Sequence, residues 1–334
     1  MKFKLAVVAL LSLSFAAVAS AAQPIVIKFS HVVAVDTPKG QAAAYFKKIA
    51  EERTKGRVIV DVYPNSQLYK DKEELEALQL GSVQMLAPAT SKFGPMGAKQ
   101  FEIFELPYVF DNYSEVHKVT EGPVGKQLLK SLEPKGVTGL TFWDNGFRCM
   151  SANKPITTPT DMRGLKMRIS SSKTIDAYMR LVGAMPQVMS FGEVYQAMQT
   201  GVVDGAENSP SNFQSQKMNE VQKYFTMTDH SYSGYAVIVN KPFWDKLPKD
   251  IRDILEQALK DATQYNNKMA QKENDDSLAK VRKAGKTKII TLTAAQKLAW
   301  KKAMLPIHRK MEAKIGKELI NSVYRETNFN PATL

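Results

Sequence analysis

Along the chain, short apolar runs with a period of two alternate with stretches whose apolar positions recur every three or four residues. Ile25-Val26-Ile27-Lys28-Phe29 reads as an opening strand, and residues 38–54 follow as an amphipathic helix with Ala42, Phe46, Ile49 and Ala50 turned inward and Gly56 behind it. Residues 58–63 alternate as a second strand, residues 71–80 form a helix stopped by Gly81, and Val83-Gln84-Met85-Leu86-Ala87 is a third strand. Strand alternating with helix predicts an α/β fold with a mostly parallel sheet covered by helices. Ligands of such sheets sit at the carboxyl ends of strands, which directs attention to Ser30-His31, Pro64-Asn65-Ser66 and residues 89–93.

Further along, the aromatic density of residues 101–110 predicts a packed crossover, and residues 137–143 another strand. Asp144-Asn145-Gly146 carries a turn signal before an extended Phe147-Arg148-Cys149-Met150-Ser151, which places a first crossing between domains at about Asn145 to Phe147. The strand–helix pattern then repeats. Residues 165–169 and 186–189 read as strands, residues 174–182 and 192–200 as helices, and Asn208-Ser209-Pro210 as a helix start. A strand at 235–240 precedes a helical pattern from Pro248 to about Gly285, long enough to span two domains. A strand at 286–292 and a final amphipathic helix over 293–317 complete the reading.

At 334 residues the chain exceeds one typical core, so two domains are expected. Residues 1–21 read as a signal peptide: Lys2 and Lys4 precede an apolar stretch from Leu5 to Val18, and Ala19-Ser20-Ala21 gives the small-x-small pattern for cleavage near Ala21. The apolar run is shorter than the about 20 residues that span a bilayer, so an exported, periplasmic product is expected rather than an anchored one. The net charge of +13 is scattered among acids, with no basic run and no basic groove interleaved with aromatics. Nucleic acid is therefore not an expected partner. Such a surface would still draw small anions toward a cleft. Cys149, the only cysteine, excludes an intrachain disulfide, and the four histidines His31, His117, His230 and His308 lie far apart without metal-ligand spacing.

Candidate chemistry centres on Gly164-Leu165-Lys166-Met167-Arg168-Ile169-Ser170. Alternation buries Leu165, Met167 and Ile169 and puts Lys166 and Arg168 on the other face, with Arg168 near the end of a strand that leads through Ser170-Ser171-Ser172 into a helix N-terminus. Helix N–H groups and a guanidinium fork together suit a carboxylate. On these residues alone, an anion-binding guanidinium and an ordinary surface arginine stand as equal alternatives. Gly122-Pro123-Val124-Gly125-Lys126 lacks the spacing and the Ser or Thr of a phosphate loop and reads as a helix start. No Ser-His-Asp pattern, paired carboxylates or Gly-rich cofactor loop appears, and neither a cofactor nor a metal is expected.

Several motifs taken together closely resemble the substrate-binding proteins of tripartite ATP-independent periplasmic (TRAP) transporters, and most of all the branch that binds C4-dicarboxylates. They are Leu106-Pro107-Tyr108-Val109, Asn145-Gly146-Phe147-Arg148, Gly164-Leu165-Lys166-Met167-Arg168, Phe191-Gly192-Glu193-Val194-Tyr195 and Val203-Asp204-Gly205-Ala206-Glu207-Asn208. The resemblance implies a two-domain, periplasmic-binding-protein-like clamp with a long helix shared by both domains. The expected division is 22–145 plus 234–273 for domain I and 146–233 plus 274–334 for domain II. It further implies that Arg168 pairs with a ligand carboxylate, that Arg148 assists, and that Asn208 and Phe191 face the cleft. Where the sialic-acid branch carries a glutamate and an arginine, this chain has Ala89 and Lys92, which favours a smaller ligand. Lys92, behind a strand of domain I, would meet the far end of a short diacid when the clamp closes. His31 joins the ligand residues by its strand-end position. The expected function is that of a monomeric solute receptor handing a small organic acid to membrane-embedded TRAP permease subunits. The competing readings are an exported enzyme with His31 or His230 as general base, and a basic protein that binds acidic polymers.

Overall fold

The computed structural model describes residues 23–333; the expected signal peptide lies outside the described residues. Nine strands form one sheet: β1 (Ile25–Ser30), β2 (Val58–Tyr63), β3 (Met85–Leu86), β4 (Val137–Ala152), β5 (Lys166–Ile169), β6 (Met185–Val188), β7 (Gly205–Asn208), β8 (Tyr224–Asn240) and β9 (Lys288–Thr291). The order is β2-β1-β3-β8-β4-β7-β5-β6, with β9 added on β8. The flanks pair in parallel, β1 with β2 and β3 on one side and β5 with β6 and β7 on the other. The centre is antiparallel. There β4 and β8 pair along their length, from Val137 opposite Asn240 to Ala152 opposite Tyr224.

This central ribbon corrects two expectations. Asp144-Asn145-Gly146 is not a turn but part of a 16-residue strand that runs on to Ala152. Its register shifts between Asp144 and Gly146 and again between Arg148 and Met150. A bulge and a turn draw on the same residues, because both need a locally bent backbone that Asx and Gly tolerate. The chain thus passes from one flank to the other inside a strand. Likewise β8 begins at Tyr224 rather than Tyr235, its first part being written in Thr, Asp, His and Ser that look like loop yet are mostly buried.

The helices follow the sequence more closely. Pro38–Arg53 opens with the Thr37 side chain accepting from the Gly40 N–H, 3.2 Å, and with Pro38 in the first turn. The long helix runs Lys249–Ala284 and stops where Gly285 adopts φ 70°, a left-handed conformation that costs glycine nothing. Ile251, Leu255, Ala258 and Ala262 pack with Phe46, Ile49 and Trp143 in the core of the β1–β2–β3 flank, while Leu278 and Val281 join Val194, Phe213 and Phe225 in the core of the other. One helix therefore serves both flanks, as expected. The helix expected from residue 71 starts at Glu74, leaving Asp71 in the preceding turn; the helix expected over 293–317 is broken at Pro306 into Ala294–Met304 and Pro306–Ile315, and a further helix that the sequence reading did not place, Lys317–Thr327, follows Gly316. Residues 101–110 are a packed crossover built on the 3-10 turn Lys99–Glu105, with Phe101, Phe104 and Phe110 buried.

Candidate functional site

Between the two flanks, against the central ribbon, lies a cavity of about 40 Å³ lined by Lys39, Asp71, Lys92, Arg148, Arg168, Phe191, Asn208 and Tyr235 among others. That is room for a few water molecules at most. Four cations on so small a surface would repel one another unless carboxylates lay close by, and four do: Asp71, Glu74, Glu105 and Glu207.

Arg168 projects from β5 and is buried. Its Nε and Nη2 both donate to the Met189 carbonyl, at 3.0 and 2.8 Å, and its guanidinium carbon lies 5.7 Å from the centre of the Phe191 ring. Burial pulls its pKa down, against the pull of Asp71 and Glu207. A guanidinium still keeps its proton, and after Met189 has taken two of its five N–H groups the remainder of the fork is available. Arg148 belongs to the middle of β4 rather than to a strand end. Its Nη1 donates to both Glu207 oxygens at 3.1 and 3.0 Å, and its Nε lies 3.2 Å from Glu105 without hydrogen-bond alignment. Burial works against the Arg148 charge, and the two carboxylates more than offset it, so its pKa rises. Burial pushes the Glu105 carboxyl up to about 7, with Arg148 opposing.

Lys92 ends the 3-10 turn Thr90–Lys92 behind β3 and lines the cavity, but its ammonium is already held by Asp71 and, at 2.9 Å, by Glu74. Asp71 also accepts the Phe191 N–H from the opposite flank and lies 3.9 Å from Arg168. Burial would raise the Asp71 pKa; Lys92 and Arg168 more than cancel that and hold it below the usual carboxylate range. Lys70 to Glu193 at 3.0 Å and Ser91 to Ser170 at 3.0 Å cross the same cleft. Asn208 ends β7, its side-chain oxygen accepting from the Ser209 N–H and the Asn212 amide at 3.0 and 3.1 Å.

Arg168, Arg148, Lys92, Asn208 and Phe191 therefore share one wall system, whereas His31 does not reach it. The His31 ring is buried edge-on to Phe29, neither nitrogen has a hydrogen-bond partner, and burial followed by the nearby Lys39 charge drives its pKa to about 3. His230 is buried against Tyr178, bonded to Thr228 at 2.8 Å and lowered to about 3 by burial. Neither histidine stands where a general base for a substrate in this cavity would have to be.

The sequence reading missed Lys39, Asp71 and Tyr235. Lys39 had a signal: it is a lysine in the first turn of a helix, where the macrodipole disfavours a cation. Its Nζ donates to the Ala87 carbonyl at 2.9 Å and sits 3.9 Å above the centre of the Tyr235 ring. A larger hollow of about 540 Å³, beside Phe147 and Asn274, bears Asp111, Asp229 and Asp275 and suits an acid poorly.

A family model described as "DctP: Bacterial extracellular solute-binding protein, family 7" matches residues 29–315. The chain is 60% identical over 306 residues, 92% of each chain, to the C4-dicarboxylate-binding periplasmic protein DctP of Rhodobacter capsulatus. It is similar to a TRAP periplasmic solute-binding protein of Shewanella oneidensis solved with bound succinate, with TM-score 0.89, 38% identity, and 91% of this chain and 99% of that one covered. A Pseudomonas aeruginosa PAO1 counterpart with bound L-malate gives TM-score 0.84 and 40% identity over 86% of this chain and 100% of that one. The fold, the run of motifs along almost the whole described chain and a cavity walled by arginines agree with these likenesses: the chain belongs to the family 7 bacterial extracellular solute-binding proteins, the substrate-binding proteins of TRAP transporters.

Proposed function

We propose that the protein is a periplasmic receptor that captures a C4-dicarboxylate such as succinate, malate or fumarate and delivers it to the membrane-embedded subunits of a TRAP permease. The observation that carries this reading is the convergence of Lys39, Lys92, Arg148 and Arg168 on one buried cavity between the two flanks of the sheet. In that setting a dianion can replace water with charge-assisted hydrogen bonds. Arg168 is the primary carboxylate ligand, with Arg148, Asn208 and Phe191 beside it; Lys92, already paired with Asp71 and Glu74, lines the opposite wall. The names of the relatives support the choice of ligand.

Domain I comprises 22–145 plus 234–273 and domain II 146–233 plus 274–334, the leader having been cleaved near Ala21. The protein acts as a monomer. Arg168, Arg148, Lys92 and Lys39 are all buried, so the domains part to admit a diacid and close over it. The test is calorimetric titration of ligand-free protein with succinate, malate, fumarate, a hexuronate and sialic acid, with product analysis of each mixture. Saturable binding of the four-carbon acids alone, with every acid recovered unchanged, is expected. Tight binding of a sugar acid but of none of the three diacids, or turnover of any acid, overturns the reading.

A further inference from the structure

We infer that Lys39, rather than Lys92, receives the second carboxylate of the ligand and so sets the preference for a diacid over a monoacid. The inference rests on the proposed dicarboxylate ligand and adds a residue that the sequence motifs did not point to.

The four cations of the cavity differ in what already neutralises them. Arg148 is flanked by Glu105 and Glu207, Lys92 by Asp71 and Glu74. Arg168 has the Met189 carbonyl and a distant Asp71. Among the described residues no carboxylate forms an ion pair with Lys39. Its ammonium has one neutral acceptor, the Ala87 carbonyl, and one aromatic face, Tyr235. An ammonium carries three N–H donors, so donors remain, and with Lys39 itself 1% exposed they have little bulk water to meet. A buried cation without a counter-ion is costly, and a carboxylate entering beside it relieves that cost. Lys92, held by two carboxylates, gains little from a third.

Position agrees with charge. Ala87 follows β3 and Tyr235 lies on β8, so Lys39 is anchored toward the β1–β2–β3 flank; Arg168 stands on β5, with β4 and β7 between in the sheet order. The two least neutralised cations of the cavity thus approach it from opposite flanks, an arrangement that a short molecule with a carboxylate at each end satisfies and a monoacid does not.

Lys39 is faced by Asp71 and Glu74 ahead of and within the helix Glu74–Gln79, by Lys92 in the turn behind β3, by His31 at the end of β1 and by Tyr235 on β8. Burial first, then Lys92, pull its pKa down to about 7, with Glu74 and Asp71 opposing. The closed surroundings that oppose the Lys39 charge are those a second carboxylate relieves.

The experiment is calorimetric titration of wild type and Lys39→Met with succinate and butyrate. Wild type is expected to prefer succinate by at least about 100-fold. In Lys39→Met the ratio drops below about tenfold and butyrate affinity is retained. A variant that keeps the succinate preference, or that loses both ligands equally, overturns the inference. Should Lys39→Met fail to fold, Lys39→Gln is measured in its place, and the same outcomes support or overturn the inference. Wild type that binds no diacid at any pH instead removes the proposed function.

Discussion

Replacing Arg168 is the most direct perturbation of the site. In the structure two of its N–H groups are committed to the Met189 carbonyl, which fixes the plane of the guanidinium and turns the rest of the fork toward the cavity. A carboxylate there gains charge-assisted hydrogen bonds in a nearly dry setting, and truncating one partner of such a pair costs about 2–5 kcal/mol, or about 30- to several-thousand-fold in Kd. Arg168→Ala is expected to weaken succinate binding by that factor. Arg168→Lys should recover little of it, because an ammonium cannot serve Met189 and a bidentate carboxylate at once. Calorimetry on ligand-free protein measures both, with a thermal melt to verify that each variant is folded. A folded Arg168→Ala within about threefold of wild type would refute the claim that this guanidinium is the main carboxylate ligand.

Lys92→Met strands Asp71 and Glu74 in a buried setting, so a loss of about 3–5 kcal/mol in denaturant unfolding is expected, and a stability equal to wild type would show that the carboxylates find other partners. Small-angle scattering should record a smaller radius of gyration once succinate saturates ligand-free protein, whereas an unchanged radius argues for a rigid site. His117 takes a raised pKa from its hydrogen bond to Asp144, 2.6 Å, with burial opposing. Its folded-state value exceeds the unfolded one, so the pair's contribution is full below about pH 6.5 and fades as pH rises through the raised value. The gap in melting temperature between wild type and His117→Gln should therefore shrink from about pH 5.5 to pH 8.5, and a constant gap would count against the pairing.

Elements whose pattern and end signals coincide were legible in the sequence. The helix Pro38–Arg53 has Thr37 and Pro38 at one end and Gly56 beyond the other; the long helix has Pro248 and Gly285. What escaped were places where local chemistry serves a non-local purpose. Asp144-Asn145-Gly146 bends a strand instead of ending it. The polar start of β8 buries Thr226, Thr228, His230 and Ser231 because β4 supplies their surroundings. The site divides in the same way. Arg168 and Arg148 lie in recognisable motifs, and alternation alone put Arg168 on one face of β5. Lys39 breaks a local rule, and only the arrival of Ala87 and Tyr235 shows why. Asp71 was absorbed into a helix that begins three residues later.

The central ribbon also fixes an order of events as the chain emerges N-terminus first. In the β1–β2–β3 flank, β3 bonds to β1 on one side and to β8 on the other, and β8 is not available until residue 240 has appeared. Until then β3 is an open edge, and the core that needs Leu255, Ala258 and Ala262 lacks its lid. The whole segment between β4 and β8, residues 153–223, is an insertion within a half-built unit and must be accommodated before that unit can close. Its strands β5, β6 and β7 pair locally, and β7 has β4 waiting for it. The later-made flank can thus pair its strands before β8 is complete, yet its core also waits for Leu278 and Val281 of the long helix, so neither flank closes until that helix has been made. Such long-range closure is intrinsically slow, and the nascent chain must be kept from pairing its open edge with another copy while it waits.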